Sequence, residues 1–147
     1  MPRTPTLGPV EQKEHLDRIA LGLLRILPPG RQELVVRFDR IGRAAGHATR
    51  LTKSDGTHEL WELPRKTLRA FDDLRTGMRV DGLGTWFVCR FRMVPSGQWD
   101  VQYSRSRQPK TNKPPTPEDF ALEQQRFPRS ENEMPDWYRA GLAGTPR

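Results

Sequence analysis

The chain has 147 residues, one domain's worth, with 34% hydrophobic residues, 29% charged residues and a mean hydropathy of −0.80. Its longest apolar run, Ile19 to Leu27, is interrupted by Gly22 and Arg25 and falls well short of the roughly 20 residues of a membrane span, so no membrane association is expected. Lys and Arg total 25 against 18 for Asp and Glu, a net charge of +7, which points to nucleic acid, an anionic surface or an acidic protein as partner.

Residues 1–9, with three prolines and a glycine, read as a disordered leader without an apolar signal segment. From Val10 the period turns helical. Leu16, Ile19, Ala20, Leu23 and Leu27 form one stripe, Glu11 and Glu14 sit near the start, and Pro28-Pro29-Gly30 ends the helix. Three strands are predicted next. The first is Leu34–Ile41, with Leu34, Val36 and Phe38 on one face. The second is weaker, runs from between Gly42 and Gly46 through Thr52, and meets the third, His58–Leu63, across a type I′ turn at Asp55-Gly56. Pro64 suits the first turn of a second helix, whose stripe is Leu68, Phe71, Leu74 and Met78.

The clearest strand follows Asp81-Gly82-Leu83-Gly84. Phe87, Cys89, Phe91 and Met93 alternate with Trp86, Val88, Arg90 and Arg92, the period of a half-buried strand. Pro95-Ser96-Gly97 turns the chain into Trp99–Tyr103. Both early helices are expected on the Phe87/Phe91 face. Pro109–Pro115 reads as a mobile loop, and Thr116 as the N-cap of a third helix that Pro128 stops. A short final segment carries Pro135, Trp137 and Tyr138, with Trp137 expected to clamp the tail onto its own domain. The order is α-β-β-β-α-β-β-α, an α+β domain over residues 10–142 with helices on one face of an antiparallel sheet and a helical tail from 116 to 142.

Signatures of catalysis are absent: there is no phosphate-binding glycine loop, zinc-protease helix or serine elbow. His15, His47 and His58 lack metal-ligand spacing, although His47 and His58 could face each other across the Asp55-Gly56 hairpin as an acid–base pair. Cys89, the single cysteine, excludes an internal disulfide and reads as a small buried hydrophobe. No catalytic residue, metal or cofactor is expected. Charge is unevenly distributed. Trp86 to Lys113 holds Arg90, Arg92, Arg105, Arg107, Lys110 and Lys113 against one acid, Asp100, whereas the chain from Pro114 has four bases and six acids. Arg90, Arg92, Trp99, Tyr103, Arg105 and Arg107, with Trp61, are therefore the candidate partner-binding residues, since arginine and aromatic side chains dominate binding hot spots and also stack bases.

The order of several short motifs resembles the YezG-type immunity (antitoxin) proteins of bacterial polymorphic toxin systems. These are Leu27-Pro28-Pro29-Gly30, Phe71-Asp72-Asp73-Leu74-Arg75 running to Met78, Gly84-Thr85-Trp86-Phe87 with Arg90-Phe91, Asp119-Phe120, Phe127-Pro128-Arg129 and Met134-Pro135-Asp136-Trp137. The resemblance spans Val10 to Trp137. It implies an α+β fold and a non-catalytic protein that binds and neutralises a cognate toxin; the absence of a signal segment or span adds the expectation of a cytoplasmic protein, taken as monomeric when free. Family members often carry an acidic run where this chain has Gln102-Tyr103-Ser104-Arg105-Ser106-Arg107. Arginines there favour a toxin with an acidic or mixed surface, such as an NAD-consuming or nucleotide-modifying enzyme, over a nuclease. The alternative is a small basic nucleic-acid-binding module.

Overall fold

The stripe spacing of Leu16, Ile19, Ala20 and Leu23 closes onto one face of a helix, and these are the buried residues of α1, Pro9–Leu24, in the computed structural model. The structure describes residues 5–144. Residues 1–4 of the predicted leader lie outside them. Leu7 is tied down, its backbone N–H donating to the Gly77 carbonyl at 2.7 Å. The helix stops before Leu27 because a residue preceding proline is driven out of the α region; Leu27 itself remains buried.

The remaining elements are β1 (Arg31–Ile41), β2 (Ala44–Lys53), β3 (His58–Glu59), α2 (Arg65–Gly77), β4 (Val88–Met93), β5 (Trp99–Ser104), α3 (Pro117–Arg126), a 3₁₀ turn (Glu131–Glu133) and α4 (Asp136–Leu142). The fold is α+β, with a five-stranded antiparallel open sheet in the order β3-β2-β1-β4-β5. Among the described residues no helix is long and apolar enough to cross a membrane. Residues group into two compact units. One comprises the chain up to Arg37 with Ala48–Met78 and Arg90–Gln102; the other comprises Phe38–His47, Arg79–Cys89 and the chain from Tyr103.

In the first unit α1 packs on α2, and the side chain of His15 bonds the Ala70 carbonyl at 2.8 Å. Leu34, Val36, Phe71, Leu74 and Phe91 are buried, with Phe91 edge-on to Phe71 at 5.7 Å. Two local expectations change here. The Asp55-Gly56 turn is not type I′, because that turn needs positive φ at both residues and only Gly56 has it, at +87°. Asp55 instead accepts from the backbone N–H of Thr57 at 2.9 Å, an Asx turn. The third strand shrinks to two residues, because the Thr49 hydroxyl bonds both the N–H and the carbonyl of Trp61 and so replaces the ladder there. His58 pairs with Thr52, its Nδ1 3.0 Å from the threonine hydroxyl, so the His47–His58 pairing across this hairpin does not form.

The second unit has its own core of Ile41, Phe87, Val88, Phe120 and Tyr138, flanked by Met134 and Trp137. The Thr116 cap forms as expected, with a reciprocal bond from the Thr116 N–H to Asp119 at 2.8 Å. Phe87 meets Trp137 at 4.8 Å and Tyr138 at 5.5 Å, both on α4. Phe87, expected on a face shared with Phe91 under both early helices, thus belongs to this core. The reason lies in β4. Between the bonds Phe87 N–H to Ser104 O and Val94 N–H to Gln98 O, the β4 side spans seven residue steps and the β5 side six. That extra residue is a β-bulge, which rotates the strand locally. The tail expected to be helical ends in a helix of its own, the seven-residue α4, which the order α-β-β-β-α-β-β-α does not separate from α3, and Trp137 also donates its indole N–H to the Ser106 carbonyl at 2.8 Å. The Pro109–Pro115 loop, expected to be mobile, is tied at Lys110 N–H to Asp39 (2.7 Å) and at Asn112 N–H to the Ala45 carbonyl (3.0 Å).

Gly42, in the β1–β2 turn, has φ +57° and a Cβ there would lie 2.3 Å from the Asp119 carbonyl oxygen. Its N–H donates to the buried Glu123 carboxylate at 2.9 Å. Gly42→Ala should cost about 3 kcal/mol, from left-handed strain plus a backbone clash. Gly56→Ala, at similar φ with open space around it, should cost only about 1–2 kcal/mol. Chemical denaturation of the two variants checks the contrast, and equal losses would contradict the close approach.

Candidate functional site

Trp99 opens β5 and lies half-buried, its ring stacked on Phe91 (6.1 Å between centroids, 26° between planes) and its indole N–H donated to Asp17 at 2.9 Å. Asp17 belongs to α1, one turn from Lys13, whose ammonium bonds it at 2.8 Å. The hydrogen bond from Lys13, then that from Trp99, holds the Asp17 carboxyl below the usual carboxylate range. Across β4, Arg92 is bonded to Glu33 and reaches Asp100 at 3.4 Å. Hydrogen bonding to Glu33 raises its guanidinium further, so it stays charged throughout. Together Lys13, Asp17, Arg92, Trp99, Asp100 and the Ser96–Gln98 turn line an open groove of about 770 Å³. Arg90, exposed on β4, completes the outward face with Gln102.

The other predicted residues separate. Trp61 lies just after β3, at the opposite edge of the sheet order from β5, with its backbone held by Thr49. Beside it, Leu60 is 89% exposed. Tyr103 belongs to the second unit, where its ring stacks on the buried Trp86 at 5.6 Å. Its hydroxyl is buried without a hydrogen-bond partner, and burial pushes the phenol up from its ordinary value. Arg105 and Arg107 are exposed there, with the Arg107 N–H on the Ser104 hydroxyl at 2.9 Å and the Arg105 carbonyl accepting from Arg129 at 2.8 Å.

Cys89 is buried, and desolvation first, then the charge of Asp39, pushes its thiol up, the setting of an inert rather than nucleophilic cysteine. Among the described residues no group of three or more His, Cys, Asp or Glu side chains is placed to hold a metal ion. Sequence reasoning missed Lys13 and Asp17. Their signal was present: an exposed i, i+4 pair of opposite charge on α1, flanking the buried stripe of Leu16, Ala20 and Leu23. Nothing in the sequence says that this face meets Trp99. No protein-family model matches the chain, and no curated protein matches it.

Proposed function

We propose that the chain is an immunity protein that neutralises a cognate bacterial toxin by direct binding. The observation that carries this reading is Trp99, an aromatic side chain that is partly exposed yet fixed from two sides, by Phe91 beneath and Asp17 beside it. Ordering a large side chain before the partner arrives lowers the entropy lost on binding, and tryptophan and arginine are enriched among the residues that carry most of an interface's binding energy. The exposed Arg90 supplies the second component. The resemblance of the motif order to YezG-type immunity proteins supports the same reading. The exposed Arg105 and Arg107 suit a toxin of acidic or mixed surface, such as an NAD-consuming or nucleotide-modifying enzyme, better than a basic nuclease.

The same contacts weigh against the nucleic-acid module. Base stacking needs free ring faces, but Trp99 rests on Phe91 and Tyr103 on Trp86. Arg92 is already matched by Glu33 and Asp100. That rival would show binding to DNA or RNA that falls steeply with salt. Co-expression with a candidate toxin from the neighbourhood of this chain's gene separates the two. Survival of the cells and co-purification of a complex are expected; death despite abundant soluble chain would overturn the proposal.

A further inference from the structure

Sheet edges are usually blocked, because unpaired backbone N–H and carbonyl groups invite another strand. On β2 the blocking is visible: Asn112 donates to the Ala45 carbonyl, and the Thr49 hydroxyl bonds both the N–H and the carbonyl of Trp61, in the segment beyond β3. On β5 it is missing. The bonds from Val94 to Gln98 and from Phe87 to Ser104 show that even-numbered residues of β5 face β4, so alternation turns the N–H and carbonyl of Trp99 and Val101 outward. Among the described residues no backbone bond from outside the sheet reaches either residue.

We propose that this outer edge of β5, at Trp99 and Val101, accepts an extended strand of the toxin, adding a sixth strand to the sheet. The inference rests on the immunity reading and specifies how the partner is held. Main-chain bonds would supply register and affinity, and flanking side chains selectivity. The groove of about 770 Å³ beside Trp99 leaves room for the side chains of an added strand. On the exposed face, Gln102 is the β5 side chain beside Arg90, so the incoming strand should carry a carboxylate opposite Gln102, within reach of that guanidinium. A second copy of the chain fits less well. Paired about Val101, it would bring Asp100 to this place already bonded to its own Arg92 at 3.4 Å.

Amide hydrogen exchange on the full chain, free and in complex with the toxin polypeptide encoded beside its gene, tests the proposal. In the free chain the Trp99 and Val101 amides should exchange quickly, and the complex should slow both at least about tenfold. Val101→Pro removes the outward N–H without touching the bonds to β4; it should fold and bind the toxin at least about tenfold more weakly. If that variant fails to fold, the exchange measurement on the unaltered chain still decides. A stable complex in which both amides exchange as fast as in the free chain overturns the edge proposal and leaves the immunity reading standing. Unchanged binding by folded Val101→Pro does the same. A free chain that dimerises with both amides protected assigns the edge to a second copy and overturns it too. If neither complex nor protection of cells is found, the immunity reading fails and the edge proposal with it.

Discussion

Phe91→Ala should destabilise the protein by about 3–5 kcal/mol, the cost of a large aromatic truncation in a well-packed core. Phe91 is fully buried, edge-on to Phe71 of α2 and stacked beneath Trp99 of β5. The truncation therefore opens a cavity between sheet and helix and withdraws the support of the tryptophan at the rim of the groove. For a chain of this length the melting temperature should fall by about 10 °C. Phe91→Leu, which keeps most of the volume, should lose much less. A melting temperature within a degree or two of wild type for the alanine variant would mean that Phe91 does not face this core.

Arg129→Ala should be of similar size for a different reason. The side chain is only 5% exposed, and its guanidinium donates to the carbonyls of Thr85 (2.6 Å), Arg105 (2.8 Å) and Glu133 (3.1 Å). It also lies over the Phe87 ring at 4.3 Å. One planar fork thus joins the segment before β4, the segment after β5 and the 3₁₀ turn ahead of α4. Truncation leaves buried acceptors without their charged donor and removes a cation–π contact, which together should cost about 3–5 kcal/mol. Arg129→Lys should recover little, because an ammonium cannot reproduce the planar fork. Urea unfolding of both variants checks this, and full recovery by lysine would show that charge alone matters.

Much of this frame is legible from residues alone. The α1 stripe, the Pro95-Ser96-Gly97 hairpin and the Thr116 cap each rest on local chemistry, and each appears where the pattern puts it. Misreadings arise where a distant partner decides. Trp86 to Cys89 is four apolar residues in a row, so no polar position fixes which of them turn inward or marks the bulge, and Phe87 meets Trp137 where Phe91 faces Phe71. The Thr49 hydroxyl that cuts β3 short lies twelve residues from Trp61. A seven-residue helix with adjacent Trp137 and Tyr138 has too few turns to show a period. At the candidate site, Arg92 and Trp99 come from the expected hairpin, but the charges that fix them, Glu33 and Asp17, come from β1 and α1. Tyr103 shows the same limit, since a tyrosine in a basic stretch reads the same whether it faces solvent or stacks on Trp86.

The most direct test of the proposed toxin neutralisation is to titrate the enzymatic activity of a candidate toxin encoded near this chain's gene with the purified chain at physiological salt. Activity should fall linearly and vanish at one equivalent, and Trp99→Ala should weaken the complex while leaving the chain folded. Toxin activity that persists unchanged in a large excess of folded chain would contradict the proposed function.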